Sequence, residues 1–347
     1  MIKVLDKKNS LEEWVTLFKI VGRSEPYCNP FYCDLFSNSY DEPICVYWED
    51  KCGKIILPLI KRNIKNDIKI DIDPDICDLI SPYGYGGPFY IGNPNWDEFW
   101  EEFFAWGKIN KYISCFIRLS LFVPNNAVEK IFVRIRKKNI VRSLCFRREE
   151  IWKDYEHKVR KNVNRAIKEN VIIKIDKEGN HLTEFVCIYN ETMQRRSAEE
   201  SYYFKNDFFE KLINMLKGNY VFFHAIYQDT IISSELALVS EENIYSFLGG
   251  TREIYFSLRP NDLLKHEIIM WGIENGKKNY IIGGGYLEDD GIYRYKKSFS
   301  PNGVMHFKSA EIIFDEQKYK DLLMMKDREG ECKDNLERDN YFPAYRR

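Results

Sequence analysis

The sequence predicts an α/β protein made of two domains in tandem, each a mixed (α+β) sheet flanked by helices. Three observations carry this expectation. The chain has 347 residues, more than one domain usually holds, so two cores are expected. Its composition is 44% hydrophobic and 15% aromatic, yet the apolar runs are short and broken by charge, so it can fill large cores but offers no window long enough to cross a bilayer. The second half alternates helical and strand periods in a fixed order of two helices, three strands, a helix and a strand. The boundary is expected near Glu150, with domains over 1–150 and 151–315. A C-terminal segment, 316–347, is expected to pack back on the first domain and to end in a partly disordered tail.

Ser10 followed by Glu13 fits a capping box, and Leu11, Trp14, Leu17 and Phe18 give the first helix one apolar face. NPFYCDLF enters a second helix, and ICVYWEDKCGKIILPLIKR reads as two strands joined by a turn at Asp50 to Gly53. DLISPYGYGGP, with Tyr83 and Tyr85 between glycines and prolines, forbids regular structure; it is either the wall of a pocket or a surface turn packed on the core. Phe99, Trp100, Phe103 and Phe104 recur at helical spacing, Ile113 to Phe122 reads as a strand, Leu144 to Glu149 as another, and Trp152 to Asn170 as a basic helix. Beyond lie strand Val171 to Ile175 and helices His181 to Met193 and Asn206 to Leu216. Strands Tyr220 to Tyr227, Thr230 to Ser240 and Asn243 to Gly249 form an antiparallel meander, followed by a helix opened by Pro260 and strand Tyr280 to Ile282. This order is the layout of a Gcn5-related (GNAT) acyltransferase domain.

Composition excludes several chemistries. Nine cysteines form an odd set without a Cys-x-x-Cys pair, and five scattered histidines show no ligand spacing, which argues against a disulfide framework, structural zinc or a Cys/His mechanism. The N-terminus lacks the apolar core of a secretion signal, so a cytoplasmic protein is expected. The net charge is −1, but Trp152 to Lys174 holds seven Lys or Arg against three acids, a stretch that meets phosphates or forms a solvated helix face.

The stretch richest in chemistry is YIIGGGYLEDDGIYRYKKSF, Tyr280 to Phe299. A short buried strand ends in Gly283 to Gly285, where a ligand can approach the backbone closely, and Tyr295 and Lys296 follow beyond an acidic loop. An ammonium there would stabilise an anion developing on an acyl carbonyl; equally, the stretch reads as a glycine turn and a solvated basic segment. Asp289 and Asp290 are candidate proton acceptors.

Five islands of sequence resemble the FemABX-like acyltransferases: SPYGYGGP, FIRLSLFVPN, HKVRKNVNRAIKENV, ETMQRRSAEESYYF, and LLKHEIIMWGIENGKKNYIIGGG followed by YRYKKSF. They occur in the family's order and span most of the chain. The resemblance implies two GNAT-like domains packed side by side with the acceptor between them, and an aminoacyl-tRNA donor serving an amine of a peptidoglycan or surface-polysaccharide precursor. It implies that Tyr295-Lys296 matches a Phe-Lys pair, with Phe299 completing the spacing and Lys296 neutralising charge at the carbonyl. Tyr for Phe is a departure that adds a hydroxyl. Arg195 would bind an acceptor phosphate, with Arg196 as its alternative, and Tyr83, Tyr85, Tyr245 and Arg259 are further candidate substrate contacts. The long helical arm of several relatives is absent, which sets this chain apart from them in tRNA engagement.

Without a Ser-His-Asp pattern, direct attack by the amine is the expected route. Coenzyme A enzymes of this fold carry Gln/Arg-x-x-Gly-x-Gly/Ala before the helix that Pro260 opens here; this chain reads SLRPNDLL, and Pro260 has no amide to grip a pyrophosphate. The expected donor is therefore aminoacyl-tRNA, with acyl-coenzyme A second, and no resident cofactor or metal. The acceptor is a nucleotide- or lipid-linked sugar precursor, and peripheral membrane contact is compatible with it. Two alternatives remain: a coenzyme A-dependent N-acyltransferase acting on an amino-sugar, and a non-catalytic nucleotide-sugar binding protein.

Overall fold

The computed structural model describes residues 1–68, 72–73, 75–328 and 341–347; most of the tail expected to be disordered, with Cys332, lies outside the described residues. In chain order the elements are β1 (Lys3–Asp6), α1 (Leu11–Ile20), α2 (Pro30–Leu35), β2 (Glu42–Glu49), β3 (Gly53–Asn63), α3 (Ile64–Asp67), β4 (Cys77–Ile80), β5 (Phe89–Gly92), α4 (Trp96–Ile109), β6 (Ser114–Arg118) and β7 (Val133–Ser143). They continue with α5 (Arg148–Asp154), α6 (His157–Lys168), β8 (Ile172–Asp176), α7 (Leu182–Arg195), α8 (Asn206–Met215), β9 (Tyr220–Tyr227), β10 (Thr230–Val239), β11 (Asn243–Thr251), α9 (Pro260–Glu274), β12 (Asn279–Gly283), α10 (Gly291–Lys297), β13 (Val304–Ile313) and α11 (Glu316–Arg328). The chain divides into two compact units, Met1–Arg136 with Phe307–Arg347, and Lys137–His306.

The first unit orders its strands β1-β2-β3-β4-β6-β13, with β5 on β3. Every pairing is antiparallel except β4 with β6, where Leu79 faces Cys115 and Ile80 faces Phe116. The crossover between those two parallel strands contains α4, whose Phe99, Trp100 and Phe103 are buried against Trp48 and Phe314. Burying each of these rings contributes about 1.5–3 kcal/mol. Asn95 caps this helix from its side chain, and Trp100 Nε1 donates to the Ala127 carbonyl at 2.7 Å.

The second unit runs β7-β12-β11-β10-β9-β8. Strands β9, β10 and β11 form the expected meander, turning at Gln228 and Asp229, both at positive φ. Strand β12 joins β11 in parallel after α9, and β7 joins β12 antiparallel. The helices α6 and α9 bury Val159, Val163, Leu264 and Ile268 against this sheet.

Four local expectations are corrected. Ser10 does not cap α1: its Oγ bonds back to the Asp6 backbone, and Glu13 pairs with Lys3, so the box residues tie the helix to β1. The strand expected over Leu144 to Glu149 lies earlier, as β7; its charged residues disguised it, and two of them, Arg134 and Arg136, both pair with Glu311. The single basic helix is two, because Tyr155 is extended and the Glu156 amide donates to the Ser298 carbonyl at 3.0 Å. The division between units falls inside β7 and β13, not near Glu150 and 315, because β7 completes the ladder on β12 and 307–347 belongs with the first unit.

Candidate active site

The parallel ladder between β11 and β12 is short: Asn243 faces Asn279, Ile244 faces Tyr280 and Tyr245 faces Ile281. Beyond it β11 continues on β10, with Phe247 skipped as a bulge, while Gly283 of β12 registers with Ile140 of β7. The strands therefore diverge after Tyr245 and Ile281. Lys265 of α9 fills the divergence. Its ammonium donates to Ser246 Oγ on β11 at 2.9 Å, to Tyr280 Oη on β12 at 2.9 Å and to Glu235 Oε2 on β10 at 2.5 Å. The Tyr280 hydroxyl donates to Glu235 Oε1 at 2.6 Å. All three lysine donors are satisfied and the buried pair is neutral, the arrangement a buried charge requires. Burial, and then the Glu235 carboxylate, holds the Tyr280 phenol well above its ordinary range.

Lys296 lies beside this cluster at the end of α10. Its Nζ donates to the Gly284 carbonyl at 2.8 Å, and among the described residues that is its one hydrogen bond, leaving two N–H donors without a protein partner. Burial, reinforced by the Lys265 ammonium, pushes its pKa down to about 8 from an ordinary 10.5, against the opposing pull of Glu235 and Asp290. Gly283 has φ +89°, and a Cβ there would lie 3.2 Å from Lys296 Nζ, so the glycine run expected to admit a close approach admits this ammonium. Tyr295 Oη accepts from Asn261 Nδ2 at 2.9 Å, a partner for the extra hydroxyl, and its ring meets Phe299 edge-on. Burial raises the Tyr295 phenol well above its usual value, so it is a neutral donor at physiological pH.

The other expected site residues are placed as follows. Asp290 caps α10: its carboxylate accepts the amides of Tyr286, Leu287 and Tyr293, and these bonds hold its pKa low against desolvation. Asp289 is exposed and pairs with Lys138. Neither is set up as a base. Tyr245 is 3% exposed and packs in the sheet core. Arg195 ends α7, donates to the Thr251 carbonyl at 3.1 Å and lies over the Phe256 ring, while Arg196 and Arg259 are exposed. Tyr83 and Tyr85 belong to the first unit: Tyr83 is exposed and stacks on Phe36, and Tyr85 meets Tyr27 and Phe307 edge-on. The first turn of α9 presents Pro260, which has no amide hydrogen, then Asn261 bonded to Tyr295, then Asp262. Burial raises the Asp262 carboxyl, and Asn162 donates to it.

The residues that the sequence reading missed are Lys265, Glu235, Tyr280 and Ser246. A signal existed for the first two. Glu235 is a lone charge in the apolar run IISSELALV, and Lys265 stands among the apolar residues of LLKHEIIMW with Glu267 as the other charge; such groups are seldom buried unless paired.

Residues 153–297 match the family described as an acetyltransferase (GNAT) domain. That stretch is a GNAT-type acyltransferase domain and the chain is an acyltransferase, which sets aside the non-catalytic alternative. No curated protein matches the chain at a significant level. Among solved structures, FemX aligns with a TM-score of 0.69 at 11% identity, over 92% of this chain and 99% of that one. A conserved protein of unknown function from Bacteroides thetaiotaomicron aligns at 0.59 with 10% identity, over 90% and 100%. The C-terminal domain of a protein described as a lysylphosphatidylglycerol synthetase from Agrobacterium fabrum aligns at 0.56 with 11% identity, over 91% and 96%. The likeness is one of fold, and the resemblance to FemABX-like acyltransferases is borne out.

Proposed function

We propose that this chain is a cytoplasmic FemABX-like N-acyltransferase that passes an aminoacyl or other acyl group to an amine of a cell-wall or surface-polysaccharide precursor. The observation that carries the reading is Lys296, a partly buried ammonium anchored by one carbonyl and keeping two donors free beside the diverging strands of an acyltransferase domain. In the reaction the neutral acceptor amine attacks the acyl carbonyl directly. The C–N bond forms, and the oxygen gains charge against the Lys296 ammonium. The C–O bond to the donor then breaks, and the amine proton passes to the departing oxygen, directly or through water. The likeness to FemX and to the lysylphosphatidylglycerol synthetase domain supports an acceptor from the cell envelope.

The first turn of α9 favours aminoacyl-tRNA as donor, because a coenzyme A pyrophosphate there would lack the Pro260 amide and meet the Asp262 carboxyl. A second reading, a coenzyme A-dependent N-acyltransferase acting on an amino-sugar, draws on the GNAT acetyltransferase match itself. Mass spectrometry of products from charged tRNA and acyl-coenzyme A pools, offered with amino-sugar and muramyl-peptide nucleotides, separates the two. Transfer abolished by ribonuclease supports the first, and thioester consumption without that sensitivity supports the second. Lys296→Ala is expected to lower transfer by about 10²–10³ while the fold is retained. Turnover of the variant at the wild-type rate defeats the reading.

A further inference from the structure

The first unit contains a cavity of about 430 Å³ whose lining shares Tyr83 alone with the expected substrate contacts. It lies where β4 and β6 part, and its lining includes Arg62, Arg118, Arg346, Asp41, Phe36 and Tyr83. Arg118, the last residue of β6, donates from Nη1 to the Ser81 carbonyl at 2.9 Å and lies over the Phe116 ring. Among the described residues it has no carboxylate partner. Burial, with the Arg62 guanidinium nearby, pushes Arg118 down to about 10. Arg62 gives its Nε to Asp78 at 3.0 Å, but its Nη2 is buried without a hydrogen-bond partner among the described residues. Asp78 is shared with Arg346 and Tyr345, and Asp41 Oδ2 already accepts the Asn38 amide at 2.8 Å. Among the described residues the one buried side-chain donor without a hydrogen-bond partner at this cavity is thus on a guanidinium, Arg62. On the same wall Tyr83 is 47% exposed and stacked on Phe36, a flat apolar surface beside the charge.

A guanidinium is recognised by planar or tetrahedral oxyanions, and an unmet buried donor is unfavourable until an acceptor reaches it. A carboxylate carries one charge and two oxygens, whereas a phosphate presents three oxygens and up to two charges, enough for Arg118 and Arg62 together. We propose that this cavity binds a small ring-bearing phosphate ester, with the phosphate against Arg118 and the free Nη2 of Arg62 and the ring against Tyr83. The site belongs to the first unit and is assayed without any transfer reaction, so it stands or falls separately from the role of Lys296.

Calorimetric titration of the full chain with phenyl phosphate, inorganic phosphate and benzoate tests the proposal. Saturable binding of phenyl phosphate is expected, weaker with added salt, at least threefold weaker for inorganic phosphate and at least tenfold weaker for benzoate. Arg118→Gln, which keeps a donor for the Ser81 carbonyl and loses the charge, is expected to weaken phenyl phosphate at least tenfold, and Arg118→Lys by a smaller factor. Should the variants fail to fold, phenylglyoxal labelling of the wild type followed by peptide mapping decides: phenyl phosphate is expected to protect Arg118. Absence of saturable binding overturns the site, as does unaltered affinity in Arg118→Gln or unprotected labelling. Benzoate binding as well as phenyl phosphate overturns the phosphate assignment.

Discussion

Replacing Lys296 by methionine should make the protein more stable while it destroys transfer. The folded environment holds the ammonium near about 8 against an ordinary 10.5. At about 1.36 kcal/mol per pH unit, keeping it charged at pH 7 costs roughly 3 kcal/mol. Methionine has a similar stem length and fills the same space without the charge. Removing the ammonium also removes the bond to the Gly284 carbonyl, worth about 1 kcal/mol or somewhat more if that carbonyl is left unmet. The net expectation is a gain of about 1–2 kcal/mol, a rise in melting temperature of roughly 2–8 °C for a body of this size. The pH dependence fixes the cause. Because the folded value is depressed, the native state binds fewer protons than the unfolded chain between about 8 and 10.5, so wild-type stability rises with pH through that window. Methionine has no such dependence, so its advantage should be full at pH 7 and turn into a deficit of about 1 kcal/mol by pH 10.5, where the charge cost has gone and only the lost bond to Gly284 remains. Equilibrium urea unfolding followed by the fluorescence of Trp152 and Trp271 at the two pH values measures it. A variant less stable than wild type at pH 7, or an advantage unchanged at pH 10.5, refutes the account of Lys296 as a cation held at a cost.

The same group should shape the pH dependence of transfer: kcat is expected to fall above about 8 as Lys296 loses its proton, and Lys296→Arg should remove that fall even where it lowers the rate. A rate that keeps rising through pH 9.5 contradicts the oxyanion role. In the first unit, Asp78 is fully buried and accepts from Arg62, Arg346 and Tyr345, so it ties the C-terminal segment to β4. Asp78→Asn should cost about 3–5 kcal/mol, since it removes the buried charge that Arg62 and Arg346 both pair with. Urea midpoints and trypsin sensitivity of the segment read this directly, and a loss below 1 kcal/mol would show the clamp to be dispensable.

The second unit is legible in the sequence because its periods are clean: strands β9, β10 and β11 are apolar runs punctuated by turn residues, and α9 opens at a proline and closes at Asn275. Its site is only half legible. Lys296 and the glycines stand together in sequence, and a resemblance singles out Lys296, but Lys265, Glu235 and Tyr280 are separated by up to 45 residues and meet only through the sheet. Local pattern also misleads at both ends of the scale. Ser10 and Glu13 fit a capping box, yet each finds a stronger partner in β1. Strand β7 carries charge at Arg134, Arg136 and Lys138, which hides its alternation, and it is stabilised by Glu311 from far along the chain. Asp290 reads as a loop acid and is a helix cap, because a carboxylate that accepts three amides cannot be distinguished in sequence from one that accepts water.

Among the described residues each unit contains one parallel strand pair, β4 with β6 and β11 with β12, and in each the register is short, two residue pairs in one and three in the other. Where such strands part, backbone carbonyls and side-chain hydroxyls lose the partner a longer ladder would give them, and leaving them unmet in the interior is unfavourable. Both units meet the need with a cation, brought by α9 and α10 in the second unit and by the end of β6 itself in the first. Lys265 bridges Ser246 and Tyr280, Lys296 binds the Gly284 carbonyl, and Arg118 binds the Ser81 carbonyl. Lys265 is saturated by these contacts and neutralised by Glu235, which makes it a structural element of the sheet. Lys296 and Arg118 are not saturated. The carbonyl that fixes each of them in place accepts only part of its donor capacity, and among the described residues the remainder has no carboxylate to meet. The geometry that lets the strands separate is therefore the geometry that keeps a cation under-coordinated, and the oxyanion role proposed for Lys296 requires such a cation, one without a carboxylate partner among the described residues.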